Sequence, residues 1–475
     1  MTAAIRMQAR LPAALLATLA FLVLAMATAL VAGCNRKPPP PPEKPAAAAI
    51  RCDPGNGGLT LPPGFCALIV ADHFANLREI AVNGNGDIYG TTLNRRLGIG
   101  GLIALRDTNG DGRADQIETF GKAGGAGLAI HDGYLYLGLD QAIVRYALDK
   151  HTLVPPTPPE TIVSGFPDSG SHASKTFAFD DAGGLLVAVG APSNACQAQD
   201  RSPGSPGLDP CPELARSAGV WRFDAARPGQ TQEQDGHRFV SGVRHVLAIA
   251  WQTESKQLYL VQQGRDELSE LWPDRFSAEQ GDVLPAEEML LATPGAEFSW
   301  PYCYYDPFQN RLVLAPEYGG DGIRVGRCSR FPDPVLAFPA HYSPNDMLFY
   351  AGKMFPAHYQ GGAFIAFHGA YRQITTGRAG YQVVFVPYRH GSLSTHWEVF
   401  ADGFAGSDPS VGPEDAEHRP NAVAEGPDGS LYIADSVTGR IWRVFYRGVP
   451  PVPEDAAKRN AAELPQSPES KDGSH

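Results

Sequence analysis

The sequence contains no Cys-x-x-Cys pair and hence no Cys-x-x-Cys-His. Zinc ribbons and redox dithiols are disfavoured, and no c-type haem is fused to the chain. Positive charge is also scarce: 39 Lys and Arg stand against 51 Asp and Glu, a net charge of −12. That balance disfavours general nucleic-acid binding and electrostatic docking onto anionic lipid. Long helices are not expected. With 52 Gly and 42 Pro among 475 residues, the composition suits many short strands joined by turns.

The one long apolar run lies at the N-terminus. Arg6 and Arg10 precede it, it extends from Leu11 to Val31, and it ends in Leu30-Val31-Ala32-Gly33-Cys34. A charged start, an apolar stretch and small residues before a cleavage point make residues 1–33 a signal peptide. The final residues resemble a bacterial lipobox, with Cys34 as the lipidated mature N-terminus. An uncleaved membrane anchor is the alternative, because the run is about long enough to span a bilayer. Residues 34–51 carry five successive prolines and several alanines and read as an extended stalk. The expected location is the periplasmic side of a bacterial membrane, held by lipid alone. Asn35 favours the outer membrane.

Six cysteines remain once Cys34 is set aside. Proximity pairs them as Cys52–Cys66, Cys196–Cys211 and Cys303–Cys328, and disulfides agree with an oxidising compartment. Free buried thiols are the alternative.

From residue 52 to 447 one unit recurs. A Gly-led strand is followed by a polar loop and a second strand. The units are Gly86–Gly90 with Leu102–Leu105, Gly133–Leu137 with Ile143–Tyr146, and Gly183–Val189 with Gly219–Phe223. Lys256–Val261 with Leu268–Leu271, Gly362–Phe367 with Tyr381–Val386, and Gly429–Ala434 with Arg440–Val444 complete the series. Such a sheet has two apolar faces to cover, and radial stacking covers both. The expected fold is all-β, a six-bladed β-propeller with long inserted loops, with Phe65–Val70 closing the last blade. A set of β-sandwiches is the alternative. The stretch from Trp272 to Phe355 is long for one blade and should hold loops over one face. Residues 448–475 read as a polar, disordered tail.

Two sets of residues bear chemistry. The segment from Asp107 to Glu118 fits the spacing of an EF-type calcium loop. Asp107, Asn109, Asp111 and Glu118 would offer side-chain oxygens, Arg113 its carbonyl, and Asp115 a direct or water-mediated contact. Its flanks read as strands, so the loop belongs to a β-hairpin and its Ca²⁺ would be structural. A metal-free turn is the alternative.

The second set runs along the chain in a specific order. It includes His172-Ala173-Ser174-Lys175-Thr176, Gly242-Val243-Arg244-His245, Gln262-Gln263-Gly264-Arg265-Asp266, Phe298-Ser299-Trp300-Pro301-Tyr302, Phe338-Pro339-Ala340-His341, Gly361–Gly369 and His418-Arg419-Pro420. This series resembles the PQQ-dependent glucose/sorbosone dehydrogenases across most of residues 60–447. The resemblance implies PQQ and Ca²⁺ as cofactors, a sugar substrate such as an aldose or aldosone, and an external electron acceptor, a cytochrome or quinone. His172 would take the proton from the substrate hydroxyl while hydride passes to the quinone, and Arg244 would stabilise the oxyanion formed there. Lys175, His245, Gln263, Arg265, Arg372 and Arg419 would contact the cofactor, and the carbonyls of Gly264 and Arg265 would hold its Ca²⁺. PQQ carries three carboxylates, and arginine presents a planar fork to such groups. His245 stands where the family has Asn, and Ala370-Tyr371-Arg372 replaces a Ser-Trp-Asn-Arg type of sequence; both departures bear on the substrate range and on cofactor retention. A metal-dependent lactonase-like propeller and a non-catalytic carbohydrate-binding or scaffold propeller are the competing readings.

Overall fold

The computed structural model describes residues 50–370, 380–408 and 412–448. Cys34, the signal segment, the stalk up to residue 49, Arg372 and the tail beyond residue 448 lie outside them.

Six sheets are arranged as the blades of a propeller. Blade 1 is Leu77–Val82, Ile88–Asn94, Ile99–Arg106 and Gln116–Phe120. Blade 2 runs Gly127–His131, Tyr134–Gly138, Ala142–Ala147, Glu160–Ser164, and blade 3 runs Phe177–Phe179, Gly184–Val189, Gly219–Asp224, His237–Ser241. Blade 4 is Val246–Gln252, Gln257–Gln262, Glu287–Ala292, Leu336–Phe338, and blade 5 is Pro344–Phe349, Ala363–His368, Tyr381–Val386, Glu398–Ala401. Blade 6 takes Pro420–Glu425, Leu431–Asp435 and Ile441–Tyr446 from the end of the domain. Its fourth strand, Phe65–Ala71, comes from the start and pairs antiparallel with Ile441–Tyr446. The ring is thus closed by the expected segment, which leaves no open junction between first and last blades.

The residue pattern explains the stacking. Every residue of Gly184–Val189 is buried. Leu185, Val187 and Val189 pack toward blade 2, whereas Leu186 and Ala188 pack toward blade 4. A strand with alternating side chains and a blade on either face must be apolar throughout. The same division yields one apolar cluster at each of the six blade interfaces.

One unit was misread from sequence. Leu268–Leu271 is a short α-helix, not the outer strand of blade 4. The two outer strands arrive later, after a second helix, Ala278–Val283. Apolar residues at i and i+3 also define one turn of helix. The long segment after Trp272 further carries a hairpin, Cys303–Asp306 with Arg311–Leu314. That hairpin packs with the blade 3 insert in a cluster of its own, containing Cys196, Cys211, Trp300, Tyr302, Cys303 and Cys328. All three expected disulfides are present.

The inner strands of blades 1, 4, 5 and 6 share a feature at their entry. Each has one unpaired residue between its first and second ladder pairs: Arg78, Leu247, Asn345 and Asn421. A bulge of this kind bends the strand and re-aims its side chains.

Candidate functional site

The residues singled out from sequence gather at one end of the ring, where chains enter the inner strands. Lys175 precedes Phe177–Phe179, Arg244 and His245 precede Val246–Gln252, and Arg419 precedes Pro420–Glu425. The end of the blade 5 second strand adds His368 to the same end, and the loops after the second strands of blades 1 and 4 add Arg95 and Gln263.

His172 and His245 meet here. Their rings stack with centroids 4.7 Å apart and planes 26° apart. The His172 Nδ1 lies 2.7 Å from the Ala191 carbonyl. A carbonyl only accepts, so Nδ1–H donates and Nε2 carries the lone pair. Burial, reinforced by the Arg244 charge, pushes the His172 pKa down to about 3. The ring is therefore neutral, and its tautomer leaves the Nε2 lone pair without a proton. His245 Nδ1 is buried without a hydrogen-bond partner. Gly190 permits this packing: a Cβ there would lie 2.8 Å from His172 Cβ and 3.1 Å from His245 Nδ1.

Arg244 is buried and held on several sides. Its Nε donates to the Asn194 carbonyl at 3.1 Å, and Nη2 donates to Asn194 Oδ1 at 2.9 Å and Asp266 Oδ2 at 2.8 Å. Nη1 donates to the Gly264 carbonyl at 2.8 Å. Burial works against the Asp266 charge, but Arg244 and Arg201 together hold its carboxyl well below the ordinary range. Asn194 lies on the blade 3 insert between His172 and the Cys196–Cys211 bridge. Neither it nor Asp266 was assigned a role from sequence.

Lys175 is fully buried, and its Nζ donates to the Ala173 carbonyl at 2.6 Å. Burial lowers its pKa to about 8 against the opposing pull of Asp140. Gln263 Nε2 donates to Asn345 Oδ1 at 3.1 Å; Asn345 Nδ2 donates to Asn421 Oδ1 at 2.7 Å, and Asn421 Nδ2 donates to the Arg78 carbonyl. Three amides thus link blades 4, 5, 6 and 1. Arg419 donates from Nε to the His368 carbonyl at 2.9 Å and lies over Tyr381.

The guanidinium of Arg265 requires a correction. It does not face this group but forms a buried ion pair with Glu317, Nη1 to Oε1 at 2.5 Å. Trp272 Nε1 donates to the same oxygen at 2.9 Å. Two charges so fully removed from water need each other, so the side chain is structural and only the backbone of residues 264 and 265 remains for a cation. A cation on the Gly264 carbonyl would sit beside the Arg244 guanidinium and would draw on Asp266 for balance.

The residues Asp107 to Glu118 do form a hairpin loop between Ile99–Arg106 and Gln116–Phe120. The Asp107 carboxylate accepts from the N–H groups of Gly110 and Gly112, both at 2.7 Å. Asn109 Oδ1 accepts from Asp111 N, Asp111 Oδ1 from Arg113 N, and Asp115 from Thr108. Glu118 stands exposed on the outgoing strand. The loop is tied to the closing strand by Arg113, which donates to the Ile69 carbonyl, and by Ala114 N to Val70 O at 2.9 Å.

Arg78 was missed. It lies at the bulge of the blade 1 inner strand, half-buried, and among the described residues its guanidinium has no hydrogen bond or ion pair. Burial lowers its pKa to about 10, with Arg95 and Arg419 adding to the effect. Arg95 itself is paired with Asp140 and donates to Ser174 Oγ at 3.1 Å. A recess of about 460 Å³ between blades 3 and 4, lined by Arg222, Phe239, Trp251 and Lys256, lies at the other end of the strands and contains none of these residues.

A neutral, oriented imidazole beside the fixed Arg244 guanidinium, with Arg78, Lys175 and Arg419 at the same end of the ring, suits an anionic ligand. The donor set fits a planar quinone bearing carboxylates. Its fork-like guanidiniums match carboxylate geometry, and the Arg78 guanidinium makes no hydrogen bond or ion pair among the described residues. The fold and site together define a six-bladed propeller with a cationic axial face. The TrAA12-like family profile matches residues 59–447, and the chain belongs to that family. No curated protein sequence matches the chain significantly. Among solved structures, the calcium structure of the family AA12 carbohydrate-active enzyme of Trichoderma reesei is 18% identical, with a TM-score of 0.67 over 85% of this chain and 99% of that one. The holo pyranose dehydrogenase PQQ domain of Coprinopsis cinerea is 17% identical, with a TM-score of 0.66 over 84% and 99%. The apo soluble aldose sugar dehydrogenase of Escherichia coli is 16% identical, with a TM-score of 0.52 over 81% and 100%. At these identities the likeness carries the fold. The resemblance to PQQ-dependent glucose/sorbosone dehydrogenases read from the sequence is borne out at the level of family.

Proposed function

We propose that this protein is a PQQ-dependent dehydrogenase that oxidises an aldose or aldosone. The observation that carries the reading is the neutral His172, its Nδ1 committed to Ala191 and its Nε2 open, held beside the Arg244 guanidinium. His172 would accept the proton of a substrate hydroxyl at Nε2, and the depressed basicity of the buried ring would rise as an anionic ligand screens Arg244. Arg244, fixed by Asn194 and Asp266, would offer hydrogen bonds to an oxyanion without needing to reorganise. Lys175, His245, Gln263 and Arg419 would orient the cofactor from blades 3, 4 and 6. PQQ, when bound, supplies the electrophilic quinone that takes the hydride. Ca²⁺ would sit at the carbonyls of residues 264 and 265, and a second Ca²⁺ in the Asp107 loop.

Electrons would leave to a separate carrier, a cytochrome or quinone, and Cys34 would anchor the protein by lipid on the periplasmic side of the membrane. The test is a PQQ titration of the Ca²⁺-loaded protein followed by absorbance, with dye reduction across a panel of sugars. Saturable binding with turnover is expected. Absence of binding at high micromolar PQQ would overturn the reading.

A further inference from the structure

We propose that Arg78 is an anchor for the carboxylates of the ligand, kept uncompensated in the empty protein so that ligand binding supplies its missing counter-charge. This rests on the cofactor reading above and adds to it a residue from blade 1, far in sequence from every motif of the site.

Four observations support the assignment. Arg78 stands at the bulge of its inner strand, at the same entry position as Asn345 and Asn421, and so on the same end of the ring as His172 and Arg244. Its carbonyl is fixed by Asn421, which leaves the position of its backbone well determined. Its guanidinium has no hydrogen bond or ion pair among the described residues, whereas Arg106, Arg145, Arg222, Arg265 and Arg440 each have a carboxylate. Finally, its charged neighbours are mostly of its own sign. Arg95 and Arg419 both act on it, and the adjacent Glu79 is pushed strongly toward its neutral form by burial and by Asp346.

An arginine kept half-buried among cations costs the fold stability, and such a cost persists where function needs the charge. A carboxylate entering between Arg78 and Arg419 would remove the repulsion and gain two charge-assisted forks. The reacting end of the ligand would then face the His172–His245 pair across the axis, so Arg78 sets direction as well as affinity.

The test compares wild type, Arg78→Met and Arg78→Lys in the full protein with Ca²⁺ present. PQQ affinity is read by absorbance titration, and the melting temperature of each ligand-free protein is read separately. Arg78→Met should weaken PQQ binding by about tenfold or more, Arg78→Lys should retain part of it, and the ligand-free Arg78→Met protein should melt no lower than wild type. Unchanged PQQ affinity in Arg78→Met overturns the proposal, as does a lower melting temperature, which would make the guanidinium structural. The same series with benzene-1,3,5-tricarboxylate separates this proposal from the cofactor reading. If wild type ignores PQQ but binds the tricarboxylate through Arg78, the anchor stands and the quinone reading falls. If wild type binds neither, both fall.

Discussion

Arg244 is gripped twice by Asn194, once through the main-chain carbonyl at 3.1 Å and once through the side-chain oxygen at 2.9 Å. Asn194 Oδ1 also accepts from Asp266 N, and Asn194 Nδ2 donates to the Asp266 carbonyl, each at 2.9 Å. One fully buried amide therefore locks both members of the Arg244–Asp266 ion pair. Asn194→Ala should leave buried donors unanswered and cost about 1–3 kcal/mol of stability. Its larger effect should fall on kcat, because Arg244 would lose its fixed direction. Steady-state kinetics and a thermal melt check both parts; an unchanged kcat would separate Arg244 from catalysis.

His172→Ala should abolish most turnover, a loss of roughly 10²–10⁴-fold for removal of a general base, while PQQ affinity changes little. The wild-type profile should also be distinctive. Burial keeps His172 neutral well below the usual histidine range, so the acid limb of kcat/KM should lie well under pH 6.5. Full activity in the variant would remove His172 from the mechanism.

Glu288, which lines the same recess as Arg244, Gln263 and Gly264, supplies a test of electrostatics. Burial pushes its pKa up to about 7, against the opposing hydrogen bonds from Gln262 and the Tyr305 backbone. A carboxyl raised in the folded state contributes stability that is complete below its unfolded value and is lost as pH rises through the folded one. Glu288→Gln should therefore gain on wild type as pH climbs from about 4.5 past 7, by on the order of 3 kcal/mol at most. Melting temperatures at pH 5 and pH 8 measure the difference, and a gain that is equal at both would refute the assignment.

Calcium in the Asp107 loop should raise the melting temperature in a concentration-dependent way. Asp107→Ala should remove the loop ion's share of that rise and also lower stability without calcium, since two loop N–H groups lose their acceptor. A calcium-dependent shift undiminished in the variant would show that the loop holds no calcium.

The blades were legible because their strands are apolar on both faces, as in Gly184–Val189, and because five of the six units open on a glycine, the fourth opening on Lys256 instead. The ring closure was legible for the same reason. Leu268–Leu271 was not, since four residues with apolar ends satisfy helix and strand alike. At the site, His172, Lys175, Arg244, His245 and Arg419 stand in motifs and do reach the axial face. Arg265 stands in a motif too, but the direction of its guanidinium is decided by Glu317, distant in sequence. Arg78 stands in no motif. Only an alignment of the blade entries, Leu77-Arg78 against Pro344-Asn345 and Pro420-Asn421, would have marked it.

The amides of Gln263, Asn345 and Asn421 have a sense of direction. The last of them ends on the Arg78 carbonyl, which can accept and never donate. That single constraint forces Asn421 to present its oxygen to Asn345, and Asn345 to present its own to Gln263. A main-chain atom of blade 1 thus dictates the polarity of a side chain in blade 4. The three amides form one oriented wire around the axis, and flipping either asparagine would set oxygen against oxygen on one side of it and N–H against N–H on the other.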